Sequence, residues 1–321
     1  MASVLIKWIC KYWFIAGLIL LSAVTAVDSK EWIVSAGRWL KANGGPATVI
    51  FLIFLFSGMA MDARLLRKGI SDIPATIAAL AVIFICSPVV ALAYRFLPLN
   101  FQILTGLFLV AAMPSTLSSG VVMSERAGGN MAHALFVTIL ANAMAVMTIP
   151  MVLSGLLATL GESRSIEIDK AAIMLKIAFL VILPLAVGMG IQYAARNWIA
   201  PLLAKVQIIN QLMILCIVWM GMCQSRTAII SGGGALMPIL LVTFSFHLLL
   251  LFCAFGVIKI FGLKPGRRES VIFMGGQKTL PLSVILQVTL FPGYGLALVV
   301  CVVHHIIHLI MDAYLVEKIK R

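Results

Sequence analysis

The chain has 321 residues, of which 62% are hydrophobic and only 11% charged, and its mean hydropathy is +1.12. A soluble domain carries about 25% charged residues, so this composition excludes a soluble globule and predicts an integral membrane protein. The net charge of +13 does not indicate nucleic-acid binding, because the basic residues lie in short loops between apolar runs and not on a polar face.

The apolar runs predict ten transmembrane helices of about 20 residues each. The first ends near Val27 and is interpreted as an uncleaved span and not a signal peptide, because its removal would unbalance the two halves of the chain. The other nine are predicted at about 46–61, 73–96, 102–123, 131–160, 171–195, 202–223, 235–261, 271–290 and 294–316. The chain is thus predicted to be one all-α transmembrane domain. Its sequence shows no nucleotide-binding loop, which argues against an ATP-driven pump.

Lysines and arginines predict the orientation of these spans. With a cytoplasmic N-terminus, roughly twice as many of them fall on the inner side as on the outer, including the basic cluster of Arg64, Arg67 and Lys68. Both termini of this multi-pass protein of the cell membrane are therefore predicted to be cytoplasmic. Because each half would hold an odd number of spans, residues 1–160 and 161–321 are predicted to be inverted repeats.

Two predicted spans contain residues that do not suit a continuous membrane helix. The fourth holds a proline, hydroxyls and a glycine from Pro114 to Gly120, and the ninth holds Gly275-Gly276-Gln277-Lys278-Thr279-Leu280-Pro281. Either could be a proline kink without a role, but broken helices at matching positions of two halves indicate a secondary transporter with its site at the midplane. We therefore expect the two spans to cross at their breaks, with Thr116 close to Thr279.

Polar residues at and beside these breaks are the candidate binding residues. Hydroxyls and freed carbonyls suit a hard monovalent cation, whereas the N-terminus of a half-helix suits an anion; a hydroxyl bonded back to its own helix is the common alternative. Lys278, ionisable at membrane depth, either pairs with a carboxylate on another helix, meets a bound anion, or is bonded to helix carbonyls. The candidates are Ser115, Thr116, Ser118, Ser119, Asn130, Thr138, Asn142, Gln277, Lys278 and Thr279.

Histidines and carboxylates give weaker signals. His304 and His308 have the spacing that places two imidazoles on one metal, but no carboxylate or cysteine accompanies them within that turn, so helix packing or a proton relay is favoured over zinc. His133 and His247 are isolated and are interpreted as structural, and Asp312 is placed near a helix end. A sodium ion is the one metal considered, and no organic cofactor is predicted.

Three motifs resemble the bile acid/sodium symporter superfamily, and within it the SBF-like branch. They run from Met113 to Val122, from Ala127 to Asn130 and from Gly275 to Leu282. The resemblance implies a core domain and a panel domain, with the broken fourth and ninth spans crossing in the core, sodium near the crossing, and the organic substrate between core and panel.

Carried over by position, Ser119, Thr138 and Gln277 match the sodium ligands that the resemblance implies, with Gln277 on the ninth span. Three positions depart from it. Gly120 stands in place of an asparagine, Ala134 in place of a serine and Phe273 in place of a carboxylate. The missing carboxylate argues against coupling to two sodium ions, and no residue supports a bile acid as substrate.

These observations predict a secondary active transporter, not an enzyme, that moves a small organic anion by alternating access, with or without sodium as the coupling ion. The alternative is a non-transporting or sodium-independent membrane regulator of calcium homeostasis. The polar residues at both breaks favour transport, because a scaffold needs no cavity. The expected partners are the anion, sodium and the lipid bilayer, and not nucleic acid, while the oligomeric state is left open.

Overall fold

A computed structural model describes residues 2–61, 69–161, 169–231 and 233–319. These residues form helices and no strand, which confirms the predicted all-α class. The basic cluster of Arg64, Arg67 and Lys68, which entered the topology prediction, lies outside the described residues.

The helices are numbered here in chain order. They are α1 (Ala2–Val27), α2 (Trp32–Ala42), α3 (Gly45–Met59), α4 (Ile73–Phe96), α5 (Phe101–Ala112), α6 (Ser119–Arg126), α7 (Met131–Ala158), α8 (Lys170–Leu203), α9 (Val206–Ser231), α10 (Leu236–Ile260), α11 (Arg268–Gly276), α12 (Leu280–Leu290) and α13 (Gly295–Ile319). Short polar side chains cap four of them by accepting hydrogen bonds from backbone N–H groups of the first turn, namely Asp72, Asn100, Asn130 and Asp169.

Length and hydropathy identify the membrane-crossing helices. Within the described ranges, seven helices are long and apolar enough to cross a membrane, or eight if α1 and α2, bent by 109°, count as one span. At 15 and 12 residues, α3 and α5 are apolar but shorter than a full span. The protein is multi-pass, and the count of ten stays a prediction.

The helices can be described in two groups, which touch each other where α9 contacts α12 and α13 and where α7 contacts α8. The first group comprises α1, α3, α8 and α9. In it, α3 contacts both α8 and α9, and α1 contacts α9. A Cβ atom on Gly58 of α3 would lie 2.3 Å from the Leu185 carbonyl oxygen, and one on Gly188 of α8 would lie 2.1 Å from that of Leu55. Small residues thus allow these two backbones to touch, as in many membrane helix pairs.

The second group surrounds α11 and α12. It comprises α4 to α7, α10 and α13. In the span of residues 268–290, all residues of the 18-residue apolar window are buried, whereas in the other spans 33% to 56% of the corresponding window is buried. The mean hydropathy of this buried window, 1.3, is also the lowest of the seven spans, as expected of a segment that other helices shield from lipid.

Candidate functional site

The first interruption comprises residues 113–118 between α5 and α6, and we call it the Pro114 break. Met113 is extended, with φ −75° and ψ 148°, because a proline ring disfavours the helical conformation at the residue before it. Pro114 also lacks an N–H group. The last carbonyls of α5 therefore lose the donors that a continuous helix would supply.

The second interruption comprises residues 277–279 between α11 and α12, and we call it the Gln277 break. Gln277 (φ −79°, ψ 144°) and Thr279 (φ −73°, ψ 123°) are both extended. The backbone N–H of Thr279 donates to the carbonyl of Pro114 at 3.0 Å. The two breaks are therefore in direct backbone contact.

Three side chains at the breaks form what we call the oxygen cluster: Thr116, Ser119 and Gln277. Ser119 Oγ lies 2.7 Å from Gln277 Oε1 and 3.0 Å from Thr116 Oγ1, and Thr116 Oγ1 lies 3.0 Å from Gln277 Oε1. The backbone N–H of Gly120 donates to Thr116 Oγ1 at 3.0 Å. A Cβ on Gly120 would lie 2.9 Å from Met274 Sδ, so the asparagine that the resemblance implies there would require the Met274 side chain to move.

The amide nitrogen of Gln277 reaches a buried carboxylate. Gln277 Nε2 donates to Asp312 Oδ2 at 2.8 Å, and His247 Nε2 lies 2.9 Å from Asp312 Oδ1. All three side chains are fully buried. The placement of Asp312 near a helix end and the interpretation of His247 as isolated are therefore wrong: α13 continues to Ile319 and holds Asp312 inside the bundle, facing α10.

The sequence does contain a signal for Asp312. Residues 304, 308 and 312 are four apart and so share one helix face, which places a carboxylate one turn beyond the two histidines. Phe273, at the position where the resemblance implies a carboxylate, is fully buried among apolar side chains. Asp312 of α13 thus supplies a carboxylate to Gln277 from a different helix.

Four histidines lie in one buried cluster. His308 Nε2 is 2.9 Å from His305 Nδ1, the rings of His304 and His308 are 5.3 Å apart between centroids, and the His247 ring is 5.8 Å from each of them. Within the described residues, no group of three or more His, Cys, Asp or Glu side chains could hold a metal ion. The cluster thus consists of neighbouring imidazoles in contact with one another.

Lys278 in the Gln277 break is 2% exposed. Its ammonium donates to the carbonyls of Ile83 in α4, at 2.9 Å, and of Met113, at 3.1 Å. Both carbonyls lack helical donors. Residues Val82–Cys86 form a π-helical turn, in which the donor to Ile83 would be residue 88, a proline without an N–H group, and the chain after Met113 is unwound. Lys278 thus joins α4 to the Pro114 break.

The remaining candidates occupy different surroundings. Thr138 Oγ1 donates to the Ala134 carbonyl at 2.9 Å and lies 3.4 Å from the Thr116 carbonyl, so it adjoins the Pro114 break. Asn142 also reaches this break, with Nδ2 3.4 Å from the Ser115 carbonyl. Asn130 caps α7 at an exposed position away from both breaks. Ser115 is buried next to Met274, and Ser118 is exposed.

A cavity of about 70 Å³, measured as the volume open to the centres of water molecules, adjoins both breaks. One wall consists of residues 116–119, residues 279–281 and two residues of α13, and the facing wall comes from α1, α3 and α9. The lining is formed by Phe14, Ile53, Ser57, Thr116, Leu117, Ser118, Ser119, Asn210, Gln211, Ile214, Thr279, Leu280, Pro281, His305 and Leu309. Among these described residues His305 is the one titratable side chain, and Lys278 is turned away towards its two carbonyls.

Two interrupted helices that meet inside a multi-pass bundle, next to a cavity lined by both polar and apolar side chains, define a membrane transporter of the discontinuous-helix class. Comparison with known families agrees. The sequence model of the SBF-like CPA transporter family matches residues 12–321, so the chain belongs to this family of transporters, which are not enzymes. The predicted membership is confirmed.

Named relatives match most of this chain, but to different shares of their own length. The chain is 28% identical over 288 residues to the probable sodium/metabolite cotransporter BASS4 of Arabidopsis thaliana. This alignment covers 83% of this chain but only 64% of the plant protein. It is 24% identical over 335 residues to sodium/bile acid cotransporter 7 of Xenopus tropicalis, covering 98% of this chain and 94% of the relative. The mouse protein of that name is 25% identical over 331 residues.

Proposed function

We propose that this protein is a secondary active transporter that moves a small organic anion across the cell membrane by alternating access, with the anion bound in the cavity beside the two breaks. One observation carries the proposal. The N-termini of α6 and α12, at Ser119 and Leu280, both open onto this cavity. Unpaired N–H groups and the helix dipole favour negative charge at a helix N-terminus, and transporters with interrupted helices use such ends to bind anionic groups.

The packing supports a two-domain arrangement for this movement. We infer ten spans in two inverted repeats, 1–160 and 161–321, where α5 with α6 and α11 with α12 each form one broken span, and where both termini are cytoplasmic. The group of α1, α3, α8 and α9 corresponds to the panel and the remaining spans to the core. Because the cavity lies where these groups face each other, movement of one against the other would expose it to alternate sides.

Sodium is the coupling ion that the names of the relatives suggest, and the oxygen cluster is where it would bind. Ser119 and Gln277 contribute side-chain oxygens, and the Thr116 carbonyl and Thr138 lie next to them. The oxygens of the cluster are bonded to one another. Sodium would therefore require the two hydroxyl groups to turn their hydrogens away, so that the oxygen lone pairs face the ion.

The test is uptake by the purified full chain in liposomes. Radiolabelled succinate, gluconate, p-aminohippurate and taurocholate are supplied outside, with either sodium or potassium as the external monovalent cation, and protein-free liposomes are the control. We expect saturable uptake of at least one of these anions, inhibited by an excess of the same unlabelled anion. If none of the four enters faster than into protein-free liposomes, the proposal is overturned and the interpretation as a non-transporting regulator is favoured.

A further inference from the structure

Four clustered histidines and Asp312 are among the buried side chains to which the proposed function gives no role. We call the five residues His247, His304, His305, His308 and Asp312 the histidine–aspartate cluster. Building on the proposed function, we infer that this cluster binds a proton whose charge compensates the organic anion, so that the protein couples anion movement to a proton.

The hydrogen-bond geometry fixes which atoms can take the proton. Asp312 receives the Gln277 amide on Oδ2 and faces His247 Nε2 with Oδ1. Because an ionised carboxylate only accepts hydrogen bonds, His247 carries its hydrogen on Nε2 and presents a bare Nδ1. No described residue bonds to that nitrogen. A proton there would make His247 an imidazolium 2.9 Å from the Asp312 carboxylate.

Two more nitrogens of the cluster lack partners among the described residues, His304 Nε2 and His308 Nδ1. Buried polar atoms without a partner are rare in folded proteins, and each calls for an explanation. Three such atoms in adjacent rings give an excess proton several neighbouring sites. The same geometry disfavours a cation other than a proton at Asp312, because both carboxylate oxygens already face N–H groups.

The cluster connects with the substrate cavity at one end and with the oxygen cluster at the other. His305 is 6% exposed and lines the cavity, and its ring is 4.6 Å from that of His308. At the other end, Asp312 bonds to Gln277, whose carbonyl oxygen faces Ser119 in the cavity wall. Occupancy of the cavity and protonation of the cluster can therefore influence each other directly.

Charge explains why an anion and a proton would bind together. A proton on an imidazole of the cluster places positive charge in a poorly hydrated interior, which is costly. At His247 the Asp312 carboxylate offsets that cost, whereas His305 and His308 are bonded to each other and to no described carboxylate. A monoanion beside His305 would cancel that charge. Each ligand then raises the affinity for the other, and this coupling is reciprocal.

The helices packed against α13 bring few other charges. α5 and α12 carry no titratable side chain. α10 contributes His247 together with Cys253 and Lys259, which lie about two and three helical turns away from it. α6 contributes Glu125 and Arg126, both exposed, and α9 carries Cys216, Cys223 and Arg226, of which Arg226 bonds to the turn after α1. Phe14 of α1 and Phe246 of α10 pack against His305 and His304.

No redox step is involved. A proton from water on one side forms an N–H bond with a bare imidazole nitrogen, and it leaves to water on the other side after the anion has crossed. One proton with one monoanion carries no net charge. A gradient of one pH unit would then accumulate a monoanion about tenfold at equilibrium.

The test adds the pH dye pyranine inside the liposomes used for the uptake measurement, in potassium medium without sodium. Taurocholate is an informative probe because its sulfonate stays ionised and cannot carry a proton by itself. We expect the anion that is taken up to acidify the interior, and the uptake rate at low anion concentration to rise about tenfold per unit of falling pH until the cluster is saturated. Asp312→Asn and His247→Gln should abolish the acidification.

His305→Gln is the second variant, in case a change at Asp312 prevents folding. It should reduce the pH dependence of uptake to less than about twofold across one pH unit, against about tenfold for the unmodified chain. His133→Gln is the matched control, since His133 is buried but bonded to Thr76 and Ser270, outside the cluster; its pH profile should stay that of the unmodified chain. A merely structural role of His305 would lower the rate at every pH without changing the profile.

The outcomes separate the two proposals. Uptake of an anion without internal acidification and with a flat pH profile overturns proton coupling and leaves the transport function standing. The same holds for uptake that requires sodium and ignores pH. No uptake of any of the four anions in either sodium or potassium medium overturns both.

Discussion

Replacing Lys278 by methionine tests the inference that its ammonium holds the Pro114 break against α4. The change removes the donor to the Ile83 and Met113 carbonyls. Leaving a buried acceptor unpaired costs about 1–3 kcal/mol each. Removing a charge from membrane depth returns about 2.5–3.5 kcal/mol. The two effects largely offset each other, so we expect the thermal stability of Lys278→Met in detergent to stay close to that of the unmodified protein.

Transport should nevertheless be lost in Lys278→Met, because the position of the break relative to α4 depends on these two hydrogen bonds. Lys278→Arg should restore it at best in part, since a planar guanidinium does not fit the space of a compact ammonium. The assays are the melting temperature and anion uptake in liposomes. Lys176→Met is the matched control, because that lysine lies in the first turns of α8 and its ammonium donates to Thr289 at an exposed position. A folded Lys278→Met protein with full uptake would refute the reasoning.

Three further predictions concern the bundle. Gly58→Ala should lower the free energy of unfolding by about 1–3 kcal/mol, and with it the melting temperature, because the added Cβ would meet the Leu185 carbonyl. Gly190→Ala on α8 should leave the melting temperature unchanged, since no atom lies within 4 Å of its added Cβ. The Arg267 guanidinium donates to both carboxylate oxygens of Asp72 and holds the pKa of that carboxyl below its ordinary value. The stabilisation is therefore present above about pH 4 and lost as pH falls further; Asp72→Asn, which keeps the helix cap, should melt below the unmodified protein at pH 7 but not at pH 3. A reporter fused to the C-terminus should be active in the cytoplasm, and an external signal would contradict the inverted repeats.

The sequence allowed the positions of both breaks to be predicted, because proline and glycine act locally on the backbone. Pro114 sets the conformation of Met113, and Gly276 ends α11 next to an extended Gln277. Polar residues at these points also identified Thr116, Ser119 and Gln277, which the structure brings together. Asn130 was selected on the same criteria but caps a helix at an exposed position. Composition alone does not distinguish a capping side chain from a binding one.

The bonding of Lys278 and Asp312 could not be predicted, because it depends on contacts between distant helices. The acceptor carbonyl of Ile83 exists because a π-helical turn precedes Pro88, and the periodicity of an evenly apolar helix gives no sign of such a turn. Asp312 contacts His247 because α13 packs against α10, and it contacts Gln277 because α13 packs against the broken span of α11 and α12. A single sequence contains the residues of this network but not their pairing.

The central claim is that the cavity beside the breaks is the site through which the anion passes, and filling it tests this claim most directly. Ile214 of α9 lines the cavity, whereas Leu212, two residues earlier on the same helix, is 52% exposed on the outside of the bundle. Ile214→Trp should abolish uptake of the transported anion, and Leu212→Trp should leave it unchanged, with both variants folded by thermal melting. Equal uptake by a folded Ile214→Trp protein would contradict the account.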